Sequence, residues 1–178
     1  MLSPRWERER RFIVAERSIL RGVSWHLIEQ GYVWAKDGYA IRARVQSIPE
    51  RSGEMSVYAA TITAKGPRIG DAREEYEMDV DADFARELIR RSGAVIRKRR
   101  YQYVSDFTWD IDEFLDDNEG LVIAELEGGV ELETLKPPAW AFKEITSDTR
   151  YNNEALARTP VKTWASSDWK PESPWDWD

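Results

Sequence analysis

Charged residues recur at a spacing of two along this chain of 178 residues. Glu7, Glu9 and Arg11 fall on alternate positions, as do Arg42 and Arg44, then Arg73, Glu75 and Glu77. Lys98 and Arg100, Asp110 and Asp112, and Glu125 and Glu127 repeat the pattern, and Lys65 aligns with Thr61 and Thr63. In a β-strand, residues i and i+2 point to the same face. The intervening residues are mostly small or apolar: Ile41, Ala43 and Val45; Tyr76 and Met78; Trp109 and Ile111; Ala124 and Leu126. Carboxylates bind hard cations such as Mg²⁺ or Mn²⁺ through oxygen. Arginine forks and lysine point charges bind phosphate oxygens. A phosphate chain bridged by a divalent cation needs both sets at once.

The plain alternative is a solvated sheet face, where each ion pair contributes little. Doubled charges on six strands favour a different arrangement, a closed barrel with a charged lumen. Such a lumen is costly when dry and becomes reasonable when it holds water, cations and a polyanion.

The elements that must position these residues are read as follows. Residues 6–14 alternate and then turn apolar, as a strand does. Residues 16–30 have mixed periodicity and are read as a short helix. Residues 31–35 and 39–47 flank Lys36-Asp37-Gly38, an Asp-Gly hairpin signal. Further strands are expected at 55–64, 72–80, 94–103, 107–114 and 120–127. A helix over 83–92, capped by Asp81 or Asp83, stops at Gly93. Residues 136–142 read as a loop and 150–157 as a short helix. With no βαβ rhythm, the expectation is a mainly β (α+β) fold, an eight-stranded antiparallel closed barrel with a few helices packed outside. The helices at 83–92 and 150–157 are expected to cover the apolar side.

Composition narrows the chemistry. Lys and Arg number 26 against 33 Asp and Glu, a formal charge of −7, which argues against a general nucleic-acid binder. Cysteine is absent and histidine occurs once, at His26. This excludes disulfides, thiolate zinc sites, cysteine nucleophiles and poly-histidine metal sites. No run approaches the roughly 18 apolar residues of a membrane span, and the first residues lack an apolar signal core. A cytoplasmic protein is expected.

In order along the chain, several motifs resemble those of the CYTH, or triphosphate tunnel metalloenzyme, superfamily. Glu7-Arg8-Glu9-Arg10-Arg11 resembles its N-terminal ExExK signature, and Arg42-Ala43-Arg44 its Arg-x-Arg strand. Lys65-Gly66-Pro67 followed by Arg73-Glu74-Glu75-Tyr76-Glu77 resembles its Lys-Gly…Arg-x-Glu-x-Glu stretch. Lys98-Arg99-Arg100-Tyr101, Asp110-Ile111-Asp112 and Glu125-Leu126-Glu127 are similar to its later strands. Lys143-Glu144-Ile145-Thr146 and Arg150-Tyr151-Asn152-Asn153 resemble its C-terminal block. The likeness covers about residues 6–157.

The resemblance implies an eight-stranded antiparallel tunnel that takes a triphosphate with a divalent metal. Carried over by position, Glu7, Glu9, Glu125 and Glu127 would hold Mg²⁺ or Mn²⁺, with Asp110 or Asp112 nearby. Arg42, Arg44, Lys65, Arg73, Lys98 and Arg100 would hold phosphates. Glu75 and Glu77 would orient water or the basic groups, and Glu9, Arg11, Glu75 and Glu77 form the expected catalytic set. Glu9, Glu75 and Glu127 are the candidates for orienting water. Position 11 departs from the signature: arginine stands where the family has lysine, and arginine effectively cannot lose its proton. The implied activity is metal-dependent hydrolysis of inorganic or nucleoside triphosphate. The other readings are a class IV-type adenylyl cyclase and a non-catalytic nucleotide or polyphosphate-binding module.

Other features read more plainly. Lys65-Gly66-Pro67 lacks the ending of a P-loop and is a turn. Arg97 and Arg99 alternate away from Lys98 and Arg100, and are expected outside, paired with surface acids. Asp116–Glu119 is an acidic turn. Residues 1–159 are expected to form the tunnel domain and 160–178 a tail. That tail carries Trp164, Trp169, Trp175 and Trp177, four of the nine tryptophans. Disordered tails are poor in aromatics, so docking onto the domain or onto a second copy is expected.

Overall fold

The computed structural model describes residues 5–67, 69, 72–128 and 131–169, with the backbone alone for 5–7, 72, 131 and 133. Nine strands are present among the described residues: β1 (Arg5–Val14), β2 (Trp25–Lys36), β3 (Tyr39–Pro49), β4 (Met55–Lys65), β5 (Ala72–Asp79), β6 (Val95–Val104), β7 (Thr108–Phe114), β8 (Val122–Glu127) and β9 (Ala141–Glu144). Three α-helical segments accompany them: α1 (Ala82–Ser92), the single turn α2 (Glu131–Thr134) and α3 (Asn153–Arg158). The sheet order is β5-β4-β3-β2-β6-β7-β8-β1-β9, and β1 also pairs with β5. The registered strand pairs are antiparallel. None of the described helices is long and apolar enough to cross a membrane.

Contacts divide the chain into two compact units, Met1–Arg8 with His26–Arg97, and Glu9–Trp25 with Lys98–Asp178. In the first unit, β2 and β3 form the expected hairpin. Asp37 (φ 52°) and Gly38 (φ 83°) both take positive φ, the requirement of a tight turn matched to strand twist. The other side of β3 and β4 presents Ala43, Val45 and Ala60 to Ala85 and Ile89 of α1. This helix begins at Asp81, whose carboxylate accepts from the N–H groups of Asp83 and Phe84, and ends at left-handed Gly93. Gly31 lets β2 approach α1 closely. A Cβ there would lie 2.8 Å from the Ile89 Cα and 2.5 Å from the Ser92 Oγ.

In the second unit, Tyr101, Ile111, Ala124 and Phe12 lie opposite one another across β6, β7, β8 and β1. With Trp109 and Val122 they form a buried apolar layer. Leu20, Leu132, Leu135 and Trp140 pack against it. Cover therefore comes from the 3-10 turn Arg17–Leu20, from α2 and from Trp140, and not from residues 150–157 as expected.

Three sequence readings are corrected. Residues 16–30 are not a helix: after the 3-10 turn, Gly22 takes φ 76°, and Trp25 already starts β2. The aromatic and branched residues of 25–28 suit a strand, and Leu27 and Ile28 pair with Ser47 and Gln46 of β3. The strand count is nine rather than eight, because Ala141 and Phe142, read as loop, begin an edge strand on Phe12–Val14. The helix of 150–157 is broken into a 3-10 turn at Thr149–Tyr151 and then α3.

Gly31→Ala overpacks the β2–α1 contact. The expected outcome is a loss of about 1–3 kcal/mol in urea unfolding, with the far-ultraviolet spectrum retained.

Candidate functional site

In the second unit, four strands align one face. Arg100 of β6 faces Asp112 of β7, Asp110 faces Glu125 of β8, and β1 sets Arg11 against Glu125 and Glu9 against Glu127. The following positions on this face are Phe114, Ile123 and Ile13, all buried, so the charges abut an apolar floor. Arg100 binds three carboxylates. Its Nε and Nη2 each donate to Asp112 at 2.7 Å, Nη1 donates to Asp110 at 2.8 Å, and Nη2 donates to Glu125 at 2.8 Å. Lys98 and Asp112 are paired, and both side chains are 0% exposed.

Electrostatics separate the acids. Burial pushes the Asp112 carboxyl up, but the charges and hydrogen bonds of Arg100 and Lys98 outweigh it and hold the group well below the usual range. Burial, reinforced by the charge of Asp112, raises Glu125 above its ordinary value against the pull of Lys98 and Arg100. Burial also opposes the Arg100 charge, yet Asp112, Glu125 and Asp110 carry its pKa well above the usual value. The two acids are thus pushed apart, Asp112 toward its anion and Glu125 toward its neutral form.

Arg11 is 3% exposed. Its Nε lies 3.5 Å from Glu9, and its other nitrogens donate to the carbonyls of Tyr151 and Thr146 and to Asn152 Oδ1. Lys98 donates to Asn153 Oδ1 at 3.2 Å. The segment 146–153 is thus fastened to the charged face by two of its cations. Neither Asn152 nor Asn153 stood among the expected site residues, although both belong to the quoted C-terminal block.

In the first unit, a second charged face runs across β3, β4 and β5. Arg42 faces Thr63, which faces Glu77, and Lys65 faces Glu75. Arg42 Nη2 donates to Thr63 Oγ1 at 2.8 Å, and that hydroxyl donates to Glu77 at 2.7 Å. Lys65 and Arg73 both bind Glu75, Arg73 at 3.0 Å. Arg44 donates twice to Gln30 Oε1, and the buried Gln30 donates in turn to the Tyr32 hydroxyl. Thr63 and Gln30 were missed as site residues. Thr63 had a signal, its spacing of two from Lys65; Gln30 fell within the stretch misread as helix. Glu7 sits opposite Arg73 in the register of β1 and β5, and its side chain lies outside the described residues.

The outward arginines behave as expected. Arg97 pairs with Glu29 at 3.2 Å and Arg99 with Glu113 at 3.3 Å. In the tail, Trp164 packs edge-on against Tyr151, and Trp169 is buried, close to Gly120. Trp175 and Trp177 lie outside the described residues.

No protein-family model matches the chain. It is 37% identical over 162 residues to an inorganic triphosphatase of Acetivibrio thermocellus, covering 88% of this chain and 96% of that protein. It is 30% identical over 159 residues to an inorganic triphosphatase of Nitrosomonas europaea, covering 85% and 96%. A crystal structure of an inorganic triphosphatase aligns with a TM-score of 0.58 at 26% identity, covering 85% of this chain and 93% of that one. The chain belongs to the CYTH, or triphosphate tunnel metalloenzyme, family. Within it, these relatives are inorganic triphosphatases.

Asp112→Asn tests the buried cluster. Leaving Lys98 and Arg100 short of an anion is expected to cost about 3–5 kcal/mol at neutral pH. The sign with pH also follows. The native pKa of Asp112 lies below its unfolded value, about 3.9, so its contribution is whole above that value and falls as pH drops through the native pKa. Glu125, raised, contributes with the opposite sign and loses stability as pH rises through its native pKa. Urea midpoints from pH 3 to pH 7 should therefore fall less steeply toward acid in the variant than in the wild type.

Proposed function

We propose that this chain is a divalent-metal-dependent hydrolase of triphosphates, with inorganic triphosphate as its substrate. The observation that carries the reading is the opposition of like charges on one face, Glu9 to Glu127 and Asp110 to Glu125. Like charges directly opposite across an antiparallel pair destabilise a sheet. Arg100 offsets the second pair, and Arg11 lies 3.5 Å from Glu9 of the first; a bound divalent cation would add to that offset.

The donor set fits the metal. Family members are generally divalent-metal dependent, and the available ligands are carboxylate oxygens, which suit Mg²⁺ or Mn²⁺. Among the described residues, no three acidic side chains gather into a cation cage. Mg²⁺ is usually held by one or two carboxylates plus substrate phosphates. Glu9 and Glu127 would be those ligands, with Glu125, bonded to Arg100, beside them and Glu7 by position. Asp112 does not fit, since Arg100 and Lys98 consume both of its oxygens. The bound metal would withdraw charge from the phosphates during anhydride cleavage.

The chain's own residues do the rest. Arg42, Lys65 and Arg73 stabilise phosphoryl charge. Glu77, through Thr63, fixes the Arg42 fork. Glu75 positions Lys65 and Arg73, and with both cations on it, it is no longer a candidate for orienting water; Glu9 and Glu127 are. Arg11 positions: it holds the segment 146–152 and Glu9 together. A lysine, with three donors on one nitrogen, cannot span these acceptors.

The test is a triphosphate panel with Mg²⁺ or Mn²⁺ and chromatography of all products. Phosphate and pyrophosphate from inorganic triphosphate are expected, with no turnover after chelation. A cyclic nucleotide plus pyrophosphate from ATP would assign a cyclase instead, and binding without turnover a non-catalytic module. Metal should raise the wild-type melting midpoint, and Glu127→Gln should abolish most of that rise. Arg11→Lys is expected to lower kcat/KM by about tenfold or more, the loss of at least one charged hydrogen bond. Proteolysis within 146–152 should become faster in the same variant.

A further inference from the structure

We propose that Thr61 is a substrate-contacting residue whose hydroxyl donates to a non-bridging phosphoryl oxygen beside Arg42. The proposal rests on the triphosphatase reading and gives a role to a residue that the sequence only aligned with Lys65. Thr61 lies on β4, on the same face as Thr63 and Lys65, opposite Arg44 and Asp79. It is only 6% exposed.

The two threonines differ in one respect. The Thr63 hydroxyl accepts from Arg42 and donates to Glu77. The Thr61 Oγ1 is buried and has no hydrogen-bond partner. A buried hydroxyl without a partner is destabilising, whereas valine would fill nearly the same volume without that cost. Threonine at this position is explained by a bond made when another molecule is bound.

The neighbours define that molecule. Arg42 Nε is also buried without a partner. Arg42 faces Thr63, so it is the diagonal cross-strand neighbour of Thr61, within reach of a shared ligand. Two unmet donors side by side, one on a guanidinium, call for an anionic oxygen acceptor. A phosphoryl group presents several such oxygens at once. The arrangement recognises the phosphate chain itself and is indifferent to any organic group attached to it.

The experiment compares Thr61→Val and Thr61→Ser with wild type, using inorganic tripolyphosphate and Mg²⁺. Thr61→Val should keep or raise the urea midpoint while KM rises roughly tenfold or more, the value of a hydrogen bond to a charged acceptor. The change in kcat should be smaller, as for a bond made in both ground and transition states. Thr61→Ser should restore KM. An unchanged KM in Thr61→Val, or a risen KM that serine does not restore, overturns the role of Thr61 and leaves the triphosphatase reading standing. A wild type that neither binds nor cleaves tripolyphosphate overturns that reading and the role of Thr61 with it.

Discussion

Burying charge is the constraint on which the second unit depends. Asp112 and Lys98 are wholly withdrawn from solvent, and such a pair is costly unless every polar atom finds a partner. The sheet meets the demand by register. Because Arg100 lies opposite Asp112, and Asp110 opposite Glu125, one guanidinium reaches three carboxylates through four hydrogen bonds. A slip of one residue in either ladder would turn the acids to the apolar layer of Phe12, Ile111 and Ala124. Electrostatics and hydrophobic packing therefore fix the same register.

The faces were legible in the sequence because a strand has period two and each doubled charge interrupts an apolar series. Hence the sides of Arg42, Lys98, Asp112 and Glu125 could be read before any coordinates. The hairpin at Asp37-Gly38 and the caps at Asp81 and Gly93 were legible for a similar reason, since each depends on local chemistry. Other features depend on distant partners and leave little local trace. Leu27 to Gln30 are strand through pairing with β3, and Ala141 and Phe142 through the edge of β1. Spacing also offered candidates for binding phosphate or metal. It did not show that Asp112 is spent on internal cations, because that depends on what stands across the ladder.

Position 11 shows how a departure from a motif can be reread in three dimensions. By sequence, arginine in place of lysine is a group that effectively cannot lose its proton. In the structure its fork is an anchor, reaching Tyr151, Thr146 and Asn152 at once. It ties the order of the C-terminal block to the strand that carries Glu9.

That anchor joins residues 140 positions apart, and the strand bearing it pairs with β8 and β9, which follow late in the chain. In synthesis β1 precedes both of these strands, so Arg11 meets its acceptors on Thr146, Tyr151 and Asn152 only after that segment has emerged. Non-local pairing of this kind slows folding, because loop closure precedes any return in contacts. The Glu9–Val14 part of β1 therefore waits for β8 and β9, which follow it by more than a hundred residues, before its ladder is complete.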